Sequence, residues 1–403
     1  MSYPFKICDP VHGFIRFGAL EQKLIDSVPF QRLRYIHQMG TAYLVYPGAT
    51  HTRFEHSLGV MELAGRIYTT LTAPHNQVVS IDKSPEELDY WLLILRLAAL
   101  CHDLGHLPFS HTAEKSLLPH GGHEQMTLAL IRSPELKPIW RAIGQKAEDD
   151  VIKLAVADPN IPLNSWEKVL SQVITEDNFG ADRIDYLIRD GHYTGVGYGH
   201  FDYHQLIDSL RILASGSTLT LGVTASGIQS VESLWIARYM MYARVYHHPK
   251  VRVYSNHMRS FMSRHYHNLL KTDVVDYVRH TDYTLLTALN AAAEQGDYDA
   301  RCLLKREKAF SEVTYPHFSA QLLSDLGKTF GDAVFIDHFP TKSAERLFPV
   351  YSEEAGILTS LQSSSFLRDI PAGAKPLCVY VHPQRQTELK EWIEKKGPLE
   401  SGR

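Results

Sequence analysis

The sequence predicts a mainly α protein: a helical bundle that carries one β-hairpin and a small α+β region toward its C-terminal end. Three observations predict it. Apolar residues recur at three- and four-residue intervals as far as about residue 270, the mark of one-sided helices. The rhythm gives way to alternation near 210–223, where Ala214-Ser215-Gly216-Ser217 supplies a turn. From about residue 330, short β-branched and aromatic runs replace the helical pattern.

Residues 1–20 read as an extended N-terminal segment, with Asp9-Pro10-Val11-His12-Gly13 as a turn and Phe14-Ile15-Arg16-Phe17 alternating as a strand. Segments 21–40, 53–73, 85–103, 122–132, 138–157 and 165–190 read as helices, punctuated by Gly and Pro at 47–48, 105–108, 119–122 and 160–162. After the hairpin near 210–223, residues 228–271 read as one long helix rich in Tyr, Met and Arg. Ala333-Val334-Phe335-Ile336 and Leu377-Cys378-Val379-Tyr380-Val381 read as strands around a loop-rich stretch, followed by a helix at 386–396 and a frayed tail. The expected organisation is an N-terminal segment 1–20, a helical core 21–260, and a helical then α+β region 261–403.

The 403 residues, 44% apolar and 21% charged, are enough for a large core. A net charge of −4 argues against a general nucleic-acid binder, whose affinity rests on a basic surface, so nucleic acid is not expected as the main partner. The longest apolar run, Trp91 to Cys101, is interrupted by Arg96 and falls short of the ~20 residues of a membrane helix, so no membrane span is predicted. The start lacks a basic region followed by an apolar one, and the protein is expected in the cytoplasm. Cys8, Cys101, Cys302 and Cys378 lie far apart without CxxC spacing and read as reduced thiols. The 22 histidines supply many potential metal ligands and neutral-pH acid-base groups.

A lone His-Asp dipeptide means little, since about one is expected by chance. Here, however, His102-Asp103 closes the most apolar helix, directly before Leu104-Gly105-His106-Leu107-Pro108-Phe109-Ser110-His111. Two ionisable groups emerging from a buried helix are costly unless paired, and an ion turns them into satisfied ligands. A His-Asp capping pair is the bland alternative. His56, within Arg53-Phe54-Glu55-His56-Ser57-Leu58-Gly59-Val60, lies beside small residues that permit close helix approach. In Gly180-Ala181-Asp182-Arg183-Ile184-Asp185-Tyr186-Leu187-Ile188-Arg189-Asp190, residues 182, 186, 189 and 190 share one helical face, and a tyrosine in its middle suits a cleft better than open solvent. Gly195-Val196-Gly197-Tyr198-Gly199 follows a helix and reads as a flexible turn, not a phosphate loop, and Cys101 reads as packing.

The order His56, His102-Asp103, Asp182 resembles the H…HD…D signature of the HD superfamily. Asp9-Pro-Val-His-Gly, Phe30-Gln-Arg-Leu-Arg-Tyr-Ile, Tyr46-Pro-Gly-Ala-Thr-His, Arg53-Phe-Glu-His-Ser-Leu-Gly-Val and Cys101-His-Asp-Leu-Gly-His-Leu-Pro-Phe-Ser-His further resemble, in order, the dNTP triphosphohydrolases of the SAM-and-HD type and their bacterial dGTPase-like relatives. The likeness runs from about residue 5 to 260, and the SAM domain of the animal enzymes is expected to be missing. It implies an HD-domain helical bundle as the catalytic core.

The resemblance implies one divalent metal ion per site, Mn, Fe, Mg or Zn, held by His56, His102, Asp103 and Asp182. Two imidazoles and two carboxylates leave positions open for water and a phosphate oxygen. It implies His111 as proton donor to the departing 5′-oxygen, oriented by Glu114 where the family usually has aspartate, with His106 and His123 at the phosphate. Arg53, Arg183 (commonly lysine) and Arg238 match phosphate contacts; Gln38, Tyr186 and Asp190 match contacts to the sugar 3′-hydroxyl; Tyr246 matches the floor under C2′. A stripe of Tyr and Arg at 235–246 is equally what helix packing or an oligomer surface offers.

Asp26, Gln31 and Arg34 match a guanine-nucleotide regulatory pocket at a subunit interface. Phe5, Lys6 and Cys8 replace the usual lysine, valine and asparagine there, and Gln205, Thr224, Ser226 and Ser230 stand where a second regulator normally finds basic and amide groups. The resemblance therefore implies a homo-oligomer, dimer or tetramer, depending weakly or not at all on a dNTP activator. The activity it implies is hydrolysis of a deoxynucleoside triphosphate to deoxynucleoside and triphosphate. The competing readings are a phosphodiesterase or phosphatase acting on oligonucleotides or other phosphoesters, and a non-catalytic nucleotide-sensing oligomer.

Overall fold

A computed structural model describes residues 3–118, 121–156, 160–216, 218–266, 273–313, 319–338, 347–370 and 377–396. The chain opens with an antiparallel hairpin, β1 (Phe5–Asp9) and β2 (Gly13–Phe17). Asp9 builds its turn, Oδ1 accepting the amides of Val11 and His12 at 2.9 and 2.8 Å. Two short helices follow, α1 (Ala19–Ile25) and α2 (Val28–Gln31), and the single helix expected over 21–40 is corrected. Pro29 restarts the chain, and past Tyr35 the backbone is extended so that His37 bridges Thr52. Leu33 and Ile36 are buried all the same, so their periodicity reported burial and not a continuous helix.

The pair α3 (Arg53–Thr72) and α4 (Pro85–Cys101) forms the centre of the bundle. The amide of Thr52 donates to Glu55 Oε1 at 2.8 Å to start α3, and Ser84 Oγ accepts the Glu87 amide at 3.2 Å to start α4, with Pro85 first in the helix. Arg96, the charge inside the apolar stretch, is buried against Glu21 Oε1 at 2.5 Å and the Arg16 carbonyl at 2.7 Å. Paired so, it avoids the penalty of an isolated buried charge.

After α5 (Glu114–Leu117) and α6 (Gly122–Ile131), the helix expected at 138–157 is two, α7 (Lys137–Ile143) and α8 (Ala147–Ala155), because Gly144 is extended. The helix expected at 165–190 also divides, into α9 (Ser165–Thr175) and α10 (Ala181–Thr194). Between them the Glu176 carboxylate accepts the amides of Asn178 and Phe179 at 2.5 and 2.8 Å, replacing helical bonds with a turn. Gly195, at φ +74, caps α10. Gly199 packs so closely on α10 that a Cβ there meets the Leu187 carbonyl at 2.3 Å, while Gly195 and Gly197 are exposed with nothing near a Cβ, so the connection is anchored at its Gly199 end.

Next come α11 (Tyr203–Ser209), β3 (Leu210–Ser215), β4 (Thr218–Thr224) and α12 (Ile228–Met241), then a π-helical turn over Tyr242–Tyr246 and α13 (Pro249–His265). The unbroken helix expected over 228–271 is thus corrected: Pro249 offers no amide to continue the ladder and holds His248 extended. Residues 267–271 of that reading, Ala157 of the helix expected at 138–157, Pro119 and His120 of the break at 119–122, Ser217 of the hairpin turn and the tail 397–403 lie outside the described residues.

The remainder comprises α14 (Val274–Tyr277), α15 (Asp282–Glu294), α16 (Tyr298–Leu304), β5 (Ser311–Val313), α17 (Ala320–Phe330), β6 (Val334–His338), β7 (Pro349–Ser352), β8 (Gly356–Thr359), α18 (Ser360–Ser363), α19 (Ser365–Asp369), β9 (Leu377–Val381) and α20 (Gln386–Lys396). β9 lies between β5 and β6 in an antiparallel sheet with its own small core of Leu326, Phe330, Val379, Val381, Leu389 and Ile393. β7 and β8 do something else. They extend the hairpin to β3-β4-β7-β8, with Val223 of β4 opposite Val350 in parallel register. The stretch between the two expected strands therefore contains a hairpin whose Val350 joins the main core, which runs from Ile15 to Ile370. Among the described residues no helix is long and apolar enough to cross a membrane.

Candidate active site

Three helices meet at one point. His56 comes from α3, His102 and Asp103 from the end of α4, and Asp182 from the first turn of α10. His56 Nε2 lies 3.1 Å from Asp182 Oδ1 and 3.5 Å from Asp103 Oδ2; His102 Nε2 lies 3.7 and 3.5 Å from the same two oxygens. Bonds of about 2.0–2.2 Å to a shared ion place neighbouring ligand atoms roughly 3.0–3.6 Å apart, so the spacing suits a single cation.

The protonation pattern fits as well. His56 Nδ1 donates to Asp185 Oδ2 at 2.7 Å and His102 Nδ1 to the Ala99 carbonyl at 2.7 Å, leaving each Nε2 as a lone pair. Among the described residues neither buried Nε2 has a hydrogen-bond partner, and a metal would satisfy both. Burial opposes charge on His56, yet the facing carboxylates of Asp182, Asp185 and Asp103 raise its pKa to about 10, a pull on positive charge at Nε2 that a bound cation would answer in place of a second ring proton. Asp103 is held well below the usual carboxylate range against the cost of burial, chiefly by Arg53 and His102. The field at this point favours positive charge.

Asp103 joins the centre to its surroundings. Oδ2 is paired with Arg53 Nη1, and Oδ1 lies 3.1 Å from His106 Nε2. Gly105 permits close approach: a Cβ there meets the His123 carbonyl at 2.1 Å, and so the His106 ring stacks on His123 with centroids 3.9 Å apart. Glu114 Oε1 lies 2.6 Å from His123 Nδ1 and Oε2 lies 2.8 Å from His111 Nδ1. The longer side chain found in place of aspartate reaches both imidazoles at once. Despite its burial, these bonds keep Glu114 ionised far below the usual carboxylate range. His111 is the open member, its side chain 65% exposed, and His106 is buried and held neutral by desolvation and by Arg53.

On the far side of Asp182, the π-helical turn brings Tyr246 to Asp190, with Oη donating to Oδ2 at 2.6 Å, while His51 Nε2 meets Oδ1 at 2.7 Å. The Tyr186 hydroxyl is buried, and its pKa is pushed far up by that burial and the nearness of Tyr242, within the fields of Arg183, Arg238 and Asp182. Gln38 donates its backbone N–H to the His51 carbonyl at 3.0 Å, and its buried Oε1 has no hydrogen-bond partner among the described residues. Of the arginines assigned to phosphate, Arg53 is paired with Asp103 and Ser110, Arg183 with Asp177 at 2.6 Å, and Arg238 lies over the rings of Trp235 and Tyr242.

Asp26, Gln31 and Arg34 lie in and after α1 and α2. Asp26 accepts from Gln22 at 2.6 Å, while Arg34 donates to Gln31 at 2.9 Å and covers the Phe54 ring. Cys101 is fully buried, and burial pushes its thiol up, as a packing residue requires.

One placement differs from the sequence reading. Arg189 does not share a cleft with Asp182, Tyr186 and Asp190 but turns to the β1–β2 turn, bonding Asp9 Oδ2 at 2.8 Å and Asp185 Oδ2 at 2.8 Å. His12 Nε2 completes this group, 2.6 Å from Asp185 Oδ1. Sequence reasoning missed Asp9, His12, Asp185 and Arg189 as site residues. Their signal was the Asp-Pro-Val-His turn, and only the fold brings it beside the buried His-Asp cluster.

Comparison with known proteins gives the family and the fold. The HD domain model matches residues 53–190, and the model of the HD associated region matches 201–321. An uncharacterized protein of Methanocaldococcus jannaschii is 31% identical over 96% of this chain and 81% of its own. The deoxynucleoside triphosphate triphosphohydrolase SAMHD1 of Homo sapiens is 33% identical over 60% of this chain and 41% of its own, so the chain spans under half of that enzyme. The crystal structure of a hypothetical protein from Aquifex aeolicus superposes with a TM-score of 0.77 at 31% identity, covering 96% of this chain and 99% of that one. A phosphohydrolase from Bacteroides thetaiotaomicron, at 22% identity and TM-score 0.74, shares the fold.

Proposed function

Since the chain belongs to the HD-domain family, we propose that it is a metal-dependent dNTP triphosphohydrolase, acting in the cytoplasm as a homo-oligomer and releasing deoxynucleoside and intact triphosphate. The observation that carries the reading is the convergence of His56, His102, Asp103 and Asp182 beside the Glu114-bound pair His111 and His123.

Those four side chains would hold a divalent ion, Mn²⁺ or Fe²⁺ best suiting the mixed nitrogen and oxygen set, which when bound would supply Lewis-acid activation of water and of the α-phosphate. The protein's own groups do the rest. His111 is fixed through Nδ1 by Glu114 and presents Nε2 outward, the position of a proton donor to the leaving 5′-oxygen. His106, held neutral, and His123 offer imidazole contacts to the phosphate beside it. Arg238, together with the N–H groups that Arg53 and Arg183 keep beyond their pairs with Asp103 and Asp177, would hold the β- and γ-phosphates, so that attack falls on the α-phosphorus. Gln38, Tyr186 and Asp190 receive the 3′-hydroxyl, and Tyr246 closes the space under C2′.

Chromatography of a dGTP digest with Mn²⁺ tests the proposal. Deoxyguanosine with intact triphosphate is the expected outcome. dGDP or dGMP as first product overturns it in favour of a phosphodiesterase or phosphatase, and stoichiometric binding without turnover points to a nucleotide sensor.

A further inference from the structure

Asp282 is the first residue of α15, outside the segment that matches the HD domain, and its side chain is buried completely. Its Oδ1 accepts the Phe109 amide at 2.6 Å; its Oδ2 accepts the His37 amide at 2.8 Å and meets His37 Nδ1 at 2.5 Å. Among the described residues its ion pair is with His37 alone. Burying a carboxylate costs several kcal/mol unless its lone pairs are filled, and here three N–H groups fill them.

What the carboxylate holds is a conformation that the local sequence resists. Phe109 and Ser110 both adopt φ 57, a left-handed geometry costing roughly 1–2 kcal/mol for each residue with a Cβ. That turn sets the site. Ser110 Oγ donates to the His37 carbonyl at 2.6 Å and accepts from Arg53 Nε at 2.8 Å, and Arg53 in turn meets Asp103. His111 is the next residue, and Gln38 follows His37. The other end of the loop is anchored from the same region: Tyr277 Oη donates to the Gly105 carbonyl at 2.5 Å, and Arg32, bonded to the His280 carbonyl at 2.9 Å, holds the His106 carbonyl at 2.8 Å.

We infer that Asp282 is a positioning residue for the reaction: it holds the Phe109–Ser110 turn that aims His111 and sets Arg53 against Asp103. The inference rests on the phosphohydrolase reading above. It touches neither substrate nor metal ligand directly, so its removal lowers turnover without emptying the site.

The test compares Asp282→Asn, Ser110→Ala and the double variant of the full chain with Mn²⁺ and dGTP. Asp282→Asn is expected to lower kcat by roughly 10–100-fold with KM and bound Mn²⁺ unchanged, as a small misplacement of catalytic groups does. The double variant is expected to be no worse than the more impaired single one, because both act through one turn. Unchanged kcat, multiplicative losses, or a fall that only tracks the folded fraction overturns the inference. If Asp282→Asn does not fold, Asp282→Glu, which keeps the charge on a longer arm, must show the same kcat loss, and wild-type turnover in it is equally fatal. If the wild type releases no triphosphate, the substrate reading falls by itself, and the same comparison is made with bis(p-nitrophenyl) phosphate.

Discussion

His56 Nδ1 lies 2.7 Å from Asp185 Oδ2, so the imidazole whose other nitrogen faces Asp103 and Asp182 is oriented by a carboxylate with no solvent exposure. Asp185 is itself fixed by His12 and Arg189, and Arg189 by Asp9 of the N-terminal turn. The β1–β2 hairpin thereby belongs to the outer shell of the site. Such carboxylate–histidine–metal arrangements are worth roughly 10–100-fold in metal affinity. Asp185→Asn, which cannot enforce the Nδ1–H tautomer with a charge, is expected to weaken Mn²⁺ binding by that factor in a metal titration. Wild-type affinity in the variant removes Asp185 from the site.

The same group explains a glycine in α3. A Cβ on Gly59 meets Asp185 Oδ1 at 1.9 Å and Arg189 Nη2 at 2.5 Å, and neither side chain has room to retreat, since both are fully buried. Gly59→Ala gains helix propensity, but overpacking costs about 1–3 kcal/mol. The expected result is a lower melting temperature together with lower metal loading. A variant that melts higher, with full loading, shows that the ion pair shifts freely.

The four residues that converge were named from the sequence because His102-Asp103 closes an apolar helix, His56 stands amid small residues, and the order His56, His102-Asp103, Asp182 resembles the HD signature; that Asp182 opens a new helix was not foreseen. Asp185 and Arg189 were not, since helical spacing alone places them on α10 without showing that Asp9 and His12, some 170–180 positions away, come to meet them. Asp282 was illegible for the same reason, its partner Phe109 lying 173 residues earlier. The missed helix breaks have another cause. At Glu176 a side chain replaces the helical hydrogen bonds of the backbone, which apolar periodicity does not record.

Glu114 gives the protein a pH signature. Its pKa is depressed in the fold by bonds to His111 and His123, so its contribution to stability is fully present above its unfolded value near 4.5 and is lost as pH falls through the folded value. Glu114→Gln is therefore expected to destabilise by about 1.5–3 kcal/mol at neutral pH, the range for a hydrogen bond to a charged group. The gap to wild type should narrow below pH 4.5. Urea melts at pH 7 and pH 3.5 measure both, and a gap that widens with acid reverses the sign.

Tyr246 separates two roles that its position combines. Its ring stands 6.4 Å from that of Tyr186, and its hydroxyl, given to Asp190, holds that carboxylate together with His51. If the ring is what rejects a ribose 2′-hydroxyl, shape and not hydrogen bonding carries the discrimination, and a steric filter of this kind is worth roughly 10–100-fold. Tyr246→Phe keeps the ring and frees one oxygen of Asp190; it is expected to lower activity on dGTP and GTP together and leave their ratio of kcat/KM intact. Tyr246→Ala removes the ring and should bring the ratio toward unity, by raising GTP turnover relative to dGTP. Rates on both nucleotides for the three proteins decide the matter. A ratio lost in Tyr246→Phe assigns discrimination to the hydroxyl and Asp190, and a ratio kept in Tyr246→Ala removes Tyr246 from the sugar pocket altogether.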